Sequence, residues 1–212
     1  LVLLGIIVSL ITKSGASAAY GEWASDKIKS RRASLLATSA LGCLIFVDDY
    51  FNCLTVGSVM RPVTDKHQVS RAKLAYLIDS TAAPICIIAP ISSWAAAVSG
   101  FVEGENGLAL FIKSIPYNYY ALFTLLMMVL LILFKVDFGP MKKFEANALK
   151  GDLFSDGKEH EEMEEKLADT KGKVIDLVFP IASLIVCCVI GMIYTGGFFS
   201  GTDFITAFAE CD

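Results

Sequence analysis

The stretch SIPYNYYALFTLLMMVLLILF, residues 114–134, carries no charged side chain over 21 residues. A bilayer core of roughly 30 Å needs about 20 helical residues, so this stretch is long enough to cross a membrane. Residues 177–202 are also uncharged over 26 residues, and residues 80–102 over 23. A hydrophobic fraction of 55% and a mean hydropathy of +0.59 agree with these runs. We therefore predict an all-α, multi-pass integral membrane protein built as a helical bundle.

The distribution of the 18 Lys and Arg residues bears on the topology. If residues 33–60 crossed the membrane once, six of these residues would lie on one side and twelve on the other. If the same residues enter, turn near 48–52 and return, seventeen lie on one side and only Lys113 on the other. Short cytoplasmic loops concentrate Lys and Arg. We therefore predict a re-entrant hairpin over 33–60.

The apolar runs and the distribution of Lys and Arg together predict the remaining segments. We predict a transmembrane region over residues 1–135, a hydrophilic cytoplasmic loop over 136–172, and a transmembrane helix with the start of a further element over 173–212. Because the chain begins within an apolar run without Met, we expect an internal piece of a longer protein.

Residues 72–99 are predicted to form a discontinuous helix. Pro84 and Pro90 each lack a backbone N–H and clash with the preceding helical turn. We expect freed carbonyls in DSTAAP, residues 79–84, beside the side-chain oxygens of Asp79, Ser80 and Thr81. The alternative is a continuous, proline-kinked helix in which Ser and Thr bond to their own backbone.

The stretch CLIFVDDYFNCL, residues 43–54, places Asp48, Asp49 and Asn52 inside an apolar run. An aspartate at the bilayer centre costs about 2.5–3.5 kcal/mol, so such residues commonly face a cavity on an ion or proton path. Alternatively, the pair only anchors the hairpin.

Burial favours the protonated form of a carboxylate, while a hard cation such as Na⁺ prefers oxygen ligands. The available oxygen donors in the hairpin and the broken helix belong to Asp48, Asp49, Asn52, Thr55, Asp79, Ser80 and Thr81. Competition of a proton and a cation for one site, combined with alternating access, predicts an antiporter.

The run IFVDDYFNCLTVGSVMRPVTDKHQVSRAKLAYLIDSTAAPICIIAPISSW, residues 45–94, strongly resembles the NhaC family of Na⁺/H⁺ antiporters. DDYFNCLTVGSVMRP, TDKH and DSTAAP are all in register, and GEWASDKIKSRR, YTGG and FAECD also match the family pattern. Relatives of this family include the malate-2H⁺/Na⁺-lactate antiporter.

The resemblance implies an inverted-repeat transporter, of which this chain holds one half with one re-entrant hairpin and one broken helix. It implies exchange of Na⁺ for H⁺ across the cell membrane, without a cofactor. The residues that it assigns to the cation, proton or substrate site are Asp48, Asp49, Asn52, Asp79, Ser80 and Thr81. Within this set, Na⁺ is expected at Asp48, Asp49, Asn52 and Asp79.

Other functions remain open at this stage. A sodium-coupled organic-anion or amino-acid antiporter of the malate/lactate type would need an anion subsite, which helix N-termini can supply without a cation. An intramembrane enzyme using Asp48 and Asp79 as a dyad is a remote alternative, since no Gly-x-Gly-Asp element is present. We do not predict an enzyme.

The sequence also bears on the binding partners. No basic, aromatic-interleaved patch indicates nucleic acid, and the lipid bilayer is the expected partner. Assembly as a homo-oligomer is left open.

Overall fold

The computed structural model describes residues 6, 9–11, 13–101, 107–155 and 172–201. Within these residues the secondary structure is helical, without a β-strand, so the all-α prediction is confirmed for the described part. The helices are α1 (Ala16–Lys27), α2 (Arg31–Leu44), α3 (Asp49–Lys66), α4 (Arg71–Cys86), α5 (Ser93–Ser99), α6 (Gly107–Ser114), α7 (Tyr119–Phe134), α8 (Pro140–Ala148) and α9 (Ile175–Thr195).

Helices α2 and α3 are packed against each other and are joined by residues 45–48. The Ser30 hydroxyl accepts from the amide of Ala33 at 3.2 Å and caps the start of α2. Asp48 caps α3 in the same way. The turn that we expected near 48–52 therefore lies slightly earlier, because the cap makes Asp49 the first residue of α3.

Both ends of this helix pair meet at Glu145 of α8. One carboxylate oxygen of Glu145 pairs with the Arg31 guanidinium, and the other accepts from the backbone N–H of Ser70 at 2.9 Å. Since Arg31 begins α2 and Ser70 follows α3, the chain returns to the side from which it started. Entry of this pair into a membrane stays a prediction.

Helix α4 ends at Cys86, and residues 87–92 separate it from α5. Residues 79–84, where we expected the helix to break, instead lie inside α4, and the interruption falls around Pro90. Pro84 sits in the last turn of α4 and has no N–H to donate to the carbonyl of Ser80. The helix tolerates this single lost bond because it ends two residues later.

Helix α4 occupies the centre of the fold, packed against α2, α3, α7 and α8. Two groups of buried apolar side chains hold these contacts. The larger includes Phe51, Val56, Val59, Met60 and Leu74, and the smaller joins α2, α4 and α7 through Leu35, Leu77, Met128 and Ile132.

The predicted span over 114–134 is interrupted. Residues Ile115–Tyr117 form a 3₁₀ turn, and the Asn118 side chain accepts from the amide of Ala121 at 3.2 Å, so α7 begins only at Tyr119. In the described ranges, no individual helix combines the length and apolar composition of a membrane span. The pair Gly107–Tyr117 and Tyr119–Phe134, bent by 48°, meets both requirements together.

The described part of the hydrophilic segment 136–172 includes helix α8. Helix α8 packs on α4, and the Lys73 ammonium pairs with Asp137 in the connection before α8. The charged sequence 156–171 and the expected further element after residue 201 lie outside the described residues.

Candidate functional site

The two interrupted backbone segments are in direct contact. The backbone N–H of Ser93 donates to the carbonyl of Val47 at 2.8 Å, which joins the start of α5 to the connection between α2 and α3. The hydroxyl of Ser92 lies 2.6 Å from the carbonyl of Cys86 and accepts from the amide of Ala95 at 3.1 Å. Ser92 therefore links the end of α4 to the start of α5 and caps α5. We call residues 45–48 and 87–92, with the flanking helix ends, the junction.

Asn52 ties α3 to the end of α2 within the junction. Its side chain is fully buried, and Nδ2 donates to the carbonyl of Gly42 at 2.6 Å and to that of Ile45 at 2.7 Å. The last carbonyls of a helix have no intrahelical partner, and a side-chain amide can satisfy them. The predicted site residue Asn52 thus has a structural role through its nitrogen.

Two buried oxygens in the first two turns of α3 have no hydrogen-bond partner. They are Oδ1 of Asn52 and Oγ1 of Thr55, whose side chains are 0% and 1% exposed. Residues three positions apart lie on the same helix face, so both oxygens belong to one face of α3. An unsatisfied buried polar atom costs about 1–3 kcal/mol. The chemistry of these acceptors fits a cation or a proton-bearing group.

Asp48 and Asp49 lie at the start of α3 and are half-buried. One carboxylate oxygen of Asp48 accepts from the amide of Phe51 at 2.8 Å. Asp48 has extended backbone and Asp49 is helical, so the two side chains leave the chain in different directions. The N-terminal end of a helix also favours negative charge, which stabilises both aspartates there.

The three predicted residues of α4 have different environments. Ser80 and Thr81 are buried, and the Thr81 hydroxyl donates to the carbonyl of Leu77 one turn earlier. A Cβ atom placed on Gly42 would lie 3.1 Å from Cβ of Thr81, so α2 and α4 approach closely there. Asp79 is exposed in this chain, contrary to the burial that we expected.

All three carboxylates nevertheless lie around one residue. Cys53 of α3 is within electrostatic range of Asp79, Asp49 and Asp48. Across the described residues, no three His, Cys, Asp or Glu side chains converge closely enough to hold a metal ion together. Shared Na⁺ coordination by Asp48, Asp49 and Asp79 remains a prediction.

The model of the Na⁺/H⁺ antiporter family matches residues 74–211, well over half of the chain. The chain belongs to the Na⁺/H⁺ antiporter family. This confirms the resemblance at the level of the family. The matched residues of the antiporter family include Asp79, Ser80 and Thr81, whereas Asp48, Asp49 and Asn52 precede them.

A similar protein occurs in Haemophilus influenzae, where it is described as uncharacterized. It is 40% identical to this antiporter-family chain over 205 residues, an alignment that covers 92% of the chain. The chain spans only 38% of the length of that relative. No solved structure matches the chain.

Sequence reasoning named Thr55 as an oxygen donor, but the family resemblance did not carry it into the predicted site. The spacing of Asn52 and Thr55 on one helix face was an available signal. The contact between Ser93 and Val47 had no comparable signal, because a backbone hydrogen bond between residues separated by two helices leaves no pattern in side-chain identities.

Proposed function

We propose that the complete protein exchanges Na⁺ for H⁺ across the cell membrane by alternating access, as a member of the NhaC branch of the antiporter family. The observation that carries this proposal is the junction, where two interrupted helices meet beside the unpartnered oxygens of Asn52 and Thr55. Non-helical backbone and buried oxygens at such a meeting point are how secondary transporters build ion sites.

In this proposal Na⁺ binds as the transported substrate near the start of α3. Asn52 Oδ1 and Thr55 Oγ1 supply neutral oxygens, and Asp48 and Asp49 supply the negative charge. A proton arriving at either carboxylate removes the charge that holds Na⁺, so the two ions exclude each other. Asp79, which is exposed on α4, completes the site when the rest of the protein covers that face.

Ion exchange is supported over organic-anion exchange because residues 45–48 and 87–92 of the junction include no Lys or Arg. Lys73, the buried lysine of α4, lies at the start of that helix, away from the junction, and is paired with Asp137. A carboxylate substrate at the junction would therefore have to rely on helix N-termini alone.

The test uses the complete protein in sealed vesicles that carry a proton gradient. We expect Na⁺-dependent collapse of the gradient to be lost in at least one of Asp48→Asn, Asp49→Asn and Asp79→Asn, with normal insertion. Asp26→Asn is the matched control because Asp26 is an exposed aspartate of α1. Unchanged exchange in all three variants would refute the site, and collapse driven by malate or lactate instead of Na⁺ alone would favour organic-anion exchange.

A further inference from the structure

The segment from the end of α7 to residue 150, just after α8, presents an exposed basic surface. Its lysines are Lys135, Lys142, Lys143 and Lys150, and all four are exposed. Throughout the described part of the chain, none of the four forms an ion pair. We call these four residues the basic surface.

The acids of the same segment are already engaged elsewhere. Asp137 pairs with Lys73 of α4, and Glu145 pairs with Arg31 of α2. Both pairs hold α8 against the bundle and neutralise the negative charge that would otherwise balance the lysines. The basic surface therefore keeps its full positive charge toward its surroundings.

Large apolar side chains are exposed beside these lysines. Phe134 is 72% exposed, Val136 47%, Phe138 60% and Leu149 54%. Apolar side chains interleaved with lysine are typical of a segment that lies at a membrane–water boundary. The position agrees with this, because the very apolar α7 ends immediately before Lys135.

A cavity of about 260 Å³ opens under the same segment, between α4, α7 and α8. Its walls are mainly apolar, with Leu131, Val136, Phe138, Met141 and Phe144 among them, and the paired Lys73 and Asp137 also line it. The hydroxyl of Tyr76, which also lines the cavity, is buried without a hydrogen-bond partner. Lys135 and Lys142 directly neighbour the wall residues Val136 and Met141 in sequence.

We propose that this site binds an anionic phospholipid, with part of an acyl chain in the cavity and the phosphate headgroup on the basic surface. Charge complementarity selects an anionic headgroup, and the apolar walls select an acyl chain over a soluble anion. Basic pockets at the cytoplasmic ends of membrane helices bind such headgroups. The inference rests on the membrane location in the proposed function but not on ion exchange.

The test is the thermal unfolding of the complete protein in detergent at low ionic strength, titrated with phosphatidylglycerol or with phosphatidylcholine of the same acyl chains. We expect phosphatidylglycerol to raise the midpoint temperature of unfolding at a lower lipid concentration than phosphatidylcholine does. K142Q/K143Q should raise the half-saturating concentration of phosphatidylglycerol roughly thirtyfold. Each lysine near an anionic surface increases the affinity by a factor of about five, and this variant removes two. K27Q/K29Q removes the same charge from exposed lysines elsewhere and should leave the titration unchanged.

Two further arms address the acyl chain and competing occupants. Val136→Trp, at a partly exposed wall position, should weaken the effect of both lipids by filling the cavity. Soluble glycerol phosphate should not reproduce the stabilisation. Equal effects of the two lipids, an unchanged K142Q/K143Q titration, or full stabilisation by glycerol phosphate would overturn the proposal.

The acid-rich sequence 159–165 of the same chain is the competing occupant of the basic surface. Phosphatidylglycerol selectivity that emerges only after its glutamates are replaced by glutamine would assign the surface to that sequence and also overturn the proposal. Because unfolding is measured without transport, loss of lipid selectivity in a protein that still exchanges ions would refute this inference alone.

Discussion

The backbone N–H of Ser93 donates a 2.8 Å hydrogen bond to the carbonyl of Val47, which joins the two interrupted segments of the fold. Val47 lies one residue before the cap of α3, and Ser93 is the first residue of α5. A displacement of either interruption is therefore transmitted to the other. This coupling is what the proposed alternating access requires of the site.

Thr55→Val tests whether the Thr55 hydroxyl is an ion ligand or whether Thr55 only contributes to packing. The hydroxyl of Thr55 is buried without a partner, so its removal should leave the free energy of unfolding unchanged or raise it by about 1 kcal/mol. The Na⁺ concentration for half-maximal gradient collapse should increase. Thr38→Val is the matched control, because the buried Thr38 hydroxyl donates to the carbonyl of Ser34 at 2.8 Å, and its loss should cost about 1 kcal/mol. A lower stability of Thr55→Val with unchanged Na⁺ dependence would contradict the assignment.

Asn52→Asp tests the structural role of the Asn52 amide. The carboxylate keeps the oxygens but cannot donate to the carbonyls of Gly42 and Ile45, which would face a negative charge. We expect a loss of roughly 2–4 kcal/mol at neutral pH, measured by denaturant unfolding. Protonation restores one donor, so the loss should shrink as the pH falls. A variant as stable as the wild type at pH 7 would show that these bonds contribute little.

Gly42→Ala should weaken the contact between α2 and α4. Its Cβ would meet Cβ of Thr81 at 3.1 Å and Oγ1 at 3.2 Å, and forcing two helices apart costs about 1–3 kcal/mol. Gly57→Ala is the matched control, since its nearest neighbour is Cδ1 of Ile78 at 3.5 Å. That substitution should raise the free energy of unfolding by up to about 1 kcal/mol through helix propensity. Equal effects of both substitutions would exclude a close approach at Gly42.

Single cysteines at Arg32 and Arg61 test the hairpin in the complete protein, with the native cysteines replaced by serine. Both positions are exposed, near the start of α2 and in the second half of α3. We expect both to react with an impermeant thiol reagent from the same side of the membrane. A cysteine at Lys113, exposed at the end of α6, should react from the opposite side. Labelling of positions 32 and 61 from opposite sides would establish a single crossing.

Local sequence predicted helix starts and breaks correctly where one residue determines the backbone conformation. Asp48 ends the apolar run and caps α3, and Pro90 lies in the interruption between α4 and α5. The same reasoning was wrong for 79–84, because the effect of Pro84 depends on where α4 ends. It also missed the break at Asn118, where a side-chain cap divides an otherwise uniform apolar run.

The sequence by itself determined that the described chain is helical, that polar groups interrupt its apolar runs, and which oxygens are available as ligands. These properties follow from composition, spacing and local caps, which act over a few residues. Only the tertiary structure decided that the two interruptions touch, that Asn52 bonds to α2 through its nitrogen, and that Glu145 joins both ends of the hairpin. Those outcomes depend on which distant donor and acceptor become neighbours once the helices pack.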